Sequence, residues 1–130
     1  MLGYLDFLFL SYSGRIGRLT YWVSTFVLSV IEVAAMVALL NLSGASLSAL
    51  HADNATMARE ALVHMVLPLA IVTLIFLYPA YAITTKRWHD RGKSGWWSLI
   101  AFVPIIGGLW LLIELGFLGP NEYVNQYGTR

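Results

Sequence analysis

Three long apolar stretches, parted by short polar ones, set the pattern of this chain. Residues 61–85 are 25 positions without Asp, Glu, Lys or Arg, and residues 94–113 are another 20. From residue 19 to residue 52 the one such side chain is Glu32. A helix rises about 1.5 Å per residue, so about 20 apolar residues cross a hydrocarbon core of about 30 Å. The pattern predicts spanning helices at 19–40 and 57–88. The second exceeds what a bilayer needs and is expected to protrude or tilt. Pro68 and Pro79 inside it are tolerated, with kinks, because membrane helices re-satisfy the freed backbone groups. The third stretch, 96–118, is broken by "PIIGG" at 104–108. Its first part would extend about 12 Å and its second about 20 Å, so neither crosses alone. The block is either one broken crossing or a hairpin that dips in and returns.

The polar stretches punctuate these blocks. Residues 1–18 read as an interfacial N-terminal segment. Within it "LGYLDFLFLS" is too short to span. It is either a short helix lying in the interface, Asp6 and Tyr4 toward the headgroups, or an apolar tail docked on the bundle. Ser13 and Gly14 read as a helix start, which puts Arg15 and Arg18 in the first turns. Residues 41–56 read as a loop whose Asp53, Asn54 or Thr56 can cap the next helix. Gly92 reads as a helix stop and Ser94 as a cap for the third block. Residues 119–130 form a turn-rich polar tail. The fold class is all-α: a polytopic membrane helical bundle with two full spans and a Pro/Gly-broken third block, four helices in total, in a single domain.

Composition sharpens this. Charged residues make up 12% of the chain and hydrophobic ones 58%, with a mean hydropathy of +0.70. Soluble domains average about 25% charged, and a soluble bundle would need amphipathic faces that these helices lack. There is no cysteine, hence no disulfide or thiol chemistry. A net charge of +1 argues against a nucleic-acid partner.

The few charges set the orientation. Arg15 and Arg18 precede the first span; Lys86, Arg87, Arg91 and Lys93 close the second. Two crossings bring both clusters to one side, and the positive-inside rule makes that side, with the N-terminus, cytoplasmic. A single broken third crossing would leave the C-terminus outside; a hairpin would return it. Glu114 discriminates, because a carboxylate in hydrocarbon is costly and a paired location is preferred. In the hairpin it descends within reach of Arg15, Arg18 or Arg87. The hairpin, with a cytoplasmic C-terminus, is therefore the expected form.

The motifs "SGRIGRLTYW", "KRWHDRGKSGWW", "VPIIGG" and "NQYG" together resemble the bacterial inner-membrane domain-of-unknown-function family 805. By position, Gly14, Arg15, Arg18, Tyr21 and Trp22 match the first family motif. Arg87, His89, Asp90, Ser94, Gly95, Trp96 and Trp97 match the second, which is the specific one. Pro104 and Gly107 match the third, and Asn125, Tyr127 and Gly128 the fourth. Tyr12 stands where the family usually has Phe, and "NEYVNQYG" is looser than the family's usual ending. The resemblance implies a small helical protein of the bacterial inner membrane and supplies no activity.

Candidate chemistry gathers in two places. Arg15, Arg18, Arg87, His89 and Asp90 fall at one membrane face. Arginine forks suit phosphate or carboxylate, so the cluster is a candidate site for anionic lipid headgroups or a protein partner. The other reading is a structural set in which Asp90 pairs with Arg87 or Arg18 and organises the bundle. Arg18, Trp22, Thr25, Ser29 and Glu32, spaced 4, 3, 4, 3, form a stripe on the first helix. Glu32 lies about 18 Å in from Thr20, where a charge costs about 2.5–3.5 kcal/mol on insertion scales; it is expected neutral or bonded to Thr73 on the second span. The stripe reads as polar glue, or as the path of an oligomeric ion or proton channel or small-solute transporter. Tyr21, Trp22, Trp88, Trp96 and Trp97 read as an interfacial belt. His89 has no local second ligand, and His51 and His64 lie toward the other side, so no metal or cofactor is expected. No nucleophile–base pair or phosphate loop appears, and the chain is read as non-enzymatic. Its expected partners are membrane lipids and a second copy or another membrane protein.

Overall fold

The structure, a computed structural model, describes residues 2–42 and 55–129. Helix α1 covers Leu2–Phe9, α2 Arg18–Leu42 and α3 Ala55–Asp90. A 3₁₀ helix comes next at Gly95–Phe102, then α4 at Ile106–Leu111, which continues as a π-helical turn at Leu112–Phe117. Two short antiparallel strands, β1 Val124–Asn125 and β2 Gly128–Thr129, pair Val124 with Thr129 and Asn125 with Gly128. Residues 43–54, with His51 and the caps Asp53 and Asn54, lie outside the described residues. Thr56 falls inside α3 rather than capping it.

The chain forms two compact units, residues 28–77 and residues 1–27 with 78–130. In the first, Leu28 and Val72 are buried while Val30, Val33, Val37, Val66, Leu67 and Ile75 are exposed. Helices 18–42 and 62–90 are long and apolar enough to cross a membrane, with mean hydropathies of 2.3 and 2.2 over their most apolar windows. Only 11% and 17% of those windows are buried. A core helix of a soluble protein would be mostly buried, so these apolar surfaces call for hydrocarbon around them.

The second unit holds the core: Leu8, Ile16, Ala82, Ile83, Trp88 and Leu115 are buried together with Arg15, Lys86, Arg87, Asp90 and Glu114. Local chemistry explains its turns. Gly14 has φ +88, in the left-handed region that glycine enters without a Cβ clash, and residues 11–17 are irregular. The helix therefore starts at Arg18, and Arg15 sits on the irregular segment instead of in a first turn, as the sequence had suggested. At the other end, Gly92 (φ +69) closes α3. Its N–H reaches the His89 carbonyl at 3.0 Å and the Lys93 N–H reaches that of Trp88 at 2.9 Å, the paired bonds of a Schellman stop. Ser94 caps the 3₁₀ helix, its oxygen accepting from the Trp96 N–H.

The third apolar block turns back on itself. The Pro104 carbonyl accepts from the Ile106 N–H at 2.7 Å around Ile105, whose φ of 66 and ψ of −61 describe a strained γ-turn. A Cβ on Gly107 would lie 1.8 Å from the Ile100 carbonyl oxygen, so glycine is what lets the two arms touch. Both ends of the block meet the ends of α2 and α3: Gly95 packs on Thr85 and Gly116 on Trp22.

Candidate functional site

The ends of α2 and α3 carry a buried ionic knot. Asp90 sits between two arginines: its Oδ1 accepts from Arg15 Nη2 at 3.1 Å and its Oδ2 from Arg87 Nη1. All three side chains are fully buried. Further donors of the two arginines go to main-chain carbonyls of residues 115–128. Arg15 donates to Glu122 at 2.6 Å, Tyr123 at 3.0 Å and Gly128 at 2.9 Å. Arg87 donates to Leu115 at 2.7 Å and to Leu118. Such pairing is what a buried charge requires, since an isolated ion in a low-dielectric interior is costly. Among the described residues, Arg15 Nε is a buried polar atom without a hydrogen-bond partner.

Around the knot the same logic recurs. Arg18, exposed, donates to the Phe117 carbonyl at 3.1 Å, and Trp22 Nε1 to that of Gly116 at 3.2 Å. Buried Lys86 donates to the Leu8 carbonyl at 2.8 Å and to that of Ser11, and lies 5.3 Å from the Phe7 ring centre. It thereby satisfies carbonyls at the end of α1. His89 Nδ1 lies 3.1 Å from the Gly14 carbonyl oxygen, and its ring stacks on Tyr127 at 3.8 Å and 7°. Asn125 donates to the His89 carbonyl at 2.8 Å, and the Asn121 N–H to that of Asp90 at 3.2 Å. The polar tail is thus bound to the helix ends along its length.

Glu114 is buried and paired, but with residues other than those the sequence suggested. Its Oε1 accepts from Lys93 at 2.6 Å and Arg91 at 3.3 Å, while Arg15 and Arg87 are occupied by Asp90 and Arg18 by Phe117. Burial pushes the Glu114 carboxyl up, but Lys93 and Arg91 more than offset this and hold it below the ordinary glutamate value.

The other expected positions divide. Arg15, Arg87, His89 and Asp90 come together. In the stripe, Thr25 and Glu32 are half-buried, whereas Ser29 and Thr73 are exposed. No hydrogen bond joins Glu32 to Thr73 among the described residues. Val72 is the buried residue at that level of α3, and on a helix its neighbour projects about 100° away. The buried hydroxyl on α2 is Ser24. Of the belt, Trp22, Trp96 and Trp97 are exposed and Tyr21 half-buried, but Trp88 is fully buried. It packs 6.2 Å from the Trp97 ring, with the Lys93 amine 5.5 Å from its own, so it is core rather than belt. Reading the sequence missed Lys86 as a buried cation, Arg91 and Lys93 as partners of Glu114, and the roles of Asn121, Asn125 and Tyr127. The fourth motif carried a signal for the last two. Guanidinium-to-carbonyl bonds leave no trace in residue identity.

Inner membrane protein YhaI of Escherichia coli is 29% identical over 127 residues, covering 91% of this chain and 86% of that protein. The E. coli protein YiiR, described as uncharacterized, is 29% identical over 142 residues, covering 91% and 84%. Inner membrane protein YhaH of E. coli is 36% identical over 53 residues, covering 38% and 43%. No solved structure matches. The family described as "Protein of unknown function (DUF805)" matches residues 9–129, a range that takes in Arg15, Arg87, Asp90 and the carbonyls of Leu115, Leu118, Glu122, Tyr123 and Gly128, and the chain belongs to that family.

Proposed function

We propose that this chain is a non-enzymatic, multi-pass protein of the bacterial inner membrane. In it the Arg15–Asp90–Arg87 knot organises the helix ends on the cytoplasmic side, and the cations around the knot meet anionic lipid headgroups. The observation that carries this reading is the closure of the two arginines. Both are fully buried and bound to Asp90 and to carbonyls of residues 115–128. A site that exchanges a ligand keeps most of its donors open; here most are spent tying the tail to the bundle, Arg15 Nε excepted. The inner-membrane location is supported by the two apolar helices and by the names of YhaI and YhaH. The orientation follows from the basic residues at the start of α2 and end of α3. A tail bound to Arg15 belongs on the same side.

The lipid contact follows from charge. Six cations, Arg15, Arg18, Lys86, Arg87, Arg91 and Lys93, share a unit with four carboxylates, Asp6, Asp90, Glu114 and Glu122, which leaves positive charge in excess. Arg18 is exposed at the start of a spanning helix, at headgroup depth, where each basic residue is attracted by about 1 kcal/mol to an anionic leaflet. Two variants test the two halves. Purified Arg18→Glu protein should melt like the wild type but retain less phosphatidylglycerol by native mass spectrometry. Asp90→Asn should melt at a lower temperature. Unchanged lipid retention in the first would remove the headgroup contact, and unchanged melting in the second would remove the organising role.

A further inference from the structure

The tip of the third apolar block has an unusual combination of features. Phe102 and Ile105 are each 82% exposed and Ile106 is 64% exposed, a patch too greasy for water. Yet most of the backbone N–H groups there are paired, those of Ile105 and Gly108 excepted among the described residues. The N–H groups of Val103, Ile106, Gly107 and Leu109 are bonded to the carbonyls of Ile100, Pro104, Val103 and Ile105. The Ile106 bond is made through the γ-turn at Ile105, a left-handed conformation that β-branched residues avoid. A turn in water has no need of it, because water would accept from a free N–H. In hydrocarbon an unpaired N–H is costly, and a strained turn that pairs it is then favoured.

The dimensions point the same way. Eight residues of 3₁₀ helix extend about 16 Å. The returning arm, Ile106–Phe117, extends about 18 Å at most. Neither crosses a core of about 30 Å. All charge sits at the base, with none between residues 94 and 113, and Glu114 there is held by Arg91 and Lys93. The 3₁₀ helix is already folded back along α3 at its first residue, where the Gly95 carbonyl accepts from Tyr81 Oη at 3.2 Å.

We infer that residues 95–117 are a wedge inserted into a single leaflet, the one adjoining the Arg15–Asp90 knot, and that the occupant of its apolar face is that leaflet's acyl chains. Two spans displace lipid equally from both leaflets. The wedge adds the cross-section of two further helical arms to one leaflet alone, and the close contact at Gly107 fixes its shape. The inference rests on the membrane reading above.

The chain has no cysteine of its own, so spin labels can be placed in it singly. Phe102→Cys and Ile106→Cys mark the tip. Ser94→Cys and Glu122→Cys mark the base. Val66→Cys on α3 marks a span. In phosphatidylethanolamine–phosphatidylglycerol vesicles, the tip labels should be reached by oxygen several-fold more than by a water-soluble nickel chelate. The two base labels should react with an impermeant thiol reagent from the same side. Tip labels open to the chelate while Val66→Cys remains shielded would mean a water-facing surface for another protein, and would overturn the wedge alone. Base labels on opposite sides would overturn it in favour of a full crossing. Chelate access at Val66→Cys as well would instead remove the membrane reading beneath it.

Discussion

Arg15 and Asp90 are 75 positions apart in sequence and meet in a fully buried ion pair of 3.1 Å. Arg15 is delivered by the irregular segment that Gly14 permits. Asp90 is the last residue of α3, just before the Schellman stop at Gly92. The pair therefore reports that three things are correct at once: the N-terminal turn, the end of α3, and the tail whose carbonyls complete the arginine's bonding. Loss of any one leaves a charge stranded inside.

Removing the carboxylate is the direct test. Asp90→Asn keeps the shape but leaves the guanidiniums of Arg15 and Arg87 without a counter-ion. Breaking a buried pair from one side costs about 3–5 kcal/mol. The variant should unfold at a markedly lower temperature in detergent, and its tail should become open to protease. Arg18→Gln, which removes an exposed donor, should change melting little. Equal melting of the two variants would mean the knot contributes nothing.

How far this arrangement was legible varies with the kind of interaction. The spans could be read because hydrocarbon demands long charge-free runs, and Gly92 and Ser94 because a helix end demands particular residue types. Bringing Arg15, Arg87 and Asp90 to one face came from counting crossings. The tail's attachment could not be read, since the acceptors are carbonyls of Glu122, Tyr123 and Gly128, which any residue supplies. Trp88 was misplaced for a related reason. An indole suits both an interface and a core, and burial depends on Trp97 and Lys93 folding back over it. Glu114 pairs with Arg91 and Lys93 rather than with Arg15, Arg18 or Arg87, because depth alone does not say which donors are already taken.

Two adjacent glycines make the second prediction internal to itself. A Cβ on Gly107 would meet the Ile100 carbonyl oxygen at 1.8 Å, whereas on Gly108 it would meet nothing within 4 Å. The obstructing atom is backbone, so it cannot rotate aside. Gly107→Ala should destabilise by more than the roughly 1–3 kcal/mol typical of overpacking, because the two arms must part. Gly108→Ala should be neutral or slightly stabilising, as Ala in a helix usually is. Melting curves of the pair decide it, and similar melting in both would show that the arms do not touch there.

Acid should loosen the base of the block before it reaches the spans. Glu114 is held below its ordinary pKa by Lys93 and Arg91, against the upward push of burial. A carboxylate depressed on folding adds stability above its unfolded pKa. That stability fades as pH falls through the folded value, where the acid form becomes common to both states. The expected loss therefore lies below the ordinary glutamate range. Glu114→Gln should lower melting at neutral pH and should flatten this part of the acid dependence. An unchanged acid profile in the variant would show that Glu114 is not the group responsible.

The stacked pair His89 and Tyr127 offers a way to loosen the tail without touching a charge. The rings lie 3.8 Å apart and nearly parallel, while Asn125 holds the His89 carbonyl and its own Oδ1 accepts from the Tyr127 N–H at 2.9 Å. Tyr127→Ala removes the ring and keeps both backbone bonds. Aromatic pairs add about 0.5–1.5 kcal/mol beyond burial, too little to unfold the bundle but enough to raise the open fraction of the tail several-fold. Amide exchange should accelerate across residues 121–129 and stay slow in α3. Tyr127→Phe, which keeps the ring, should exchange like the wild type. Faster exchange in α3 of Tyr127→Ala would mean that the tail and the helix end open as one unit, and that the stack secures the knot rather than the tail alone.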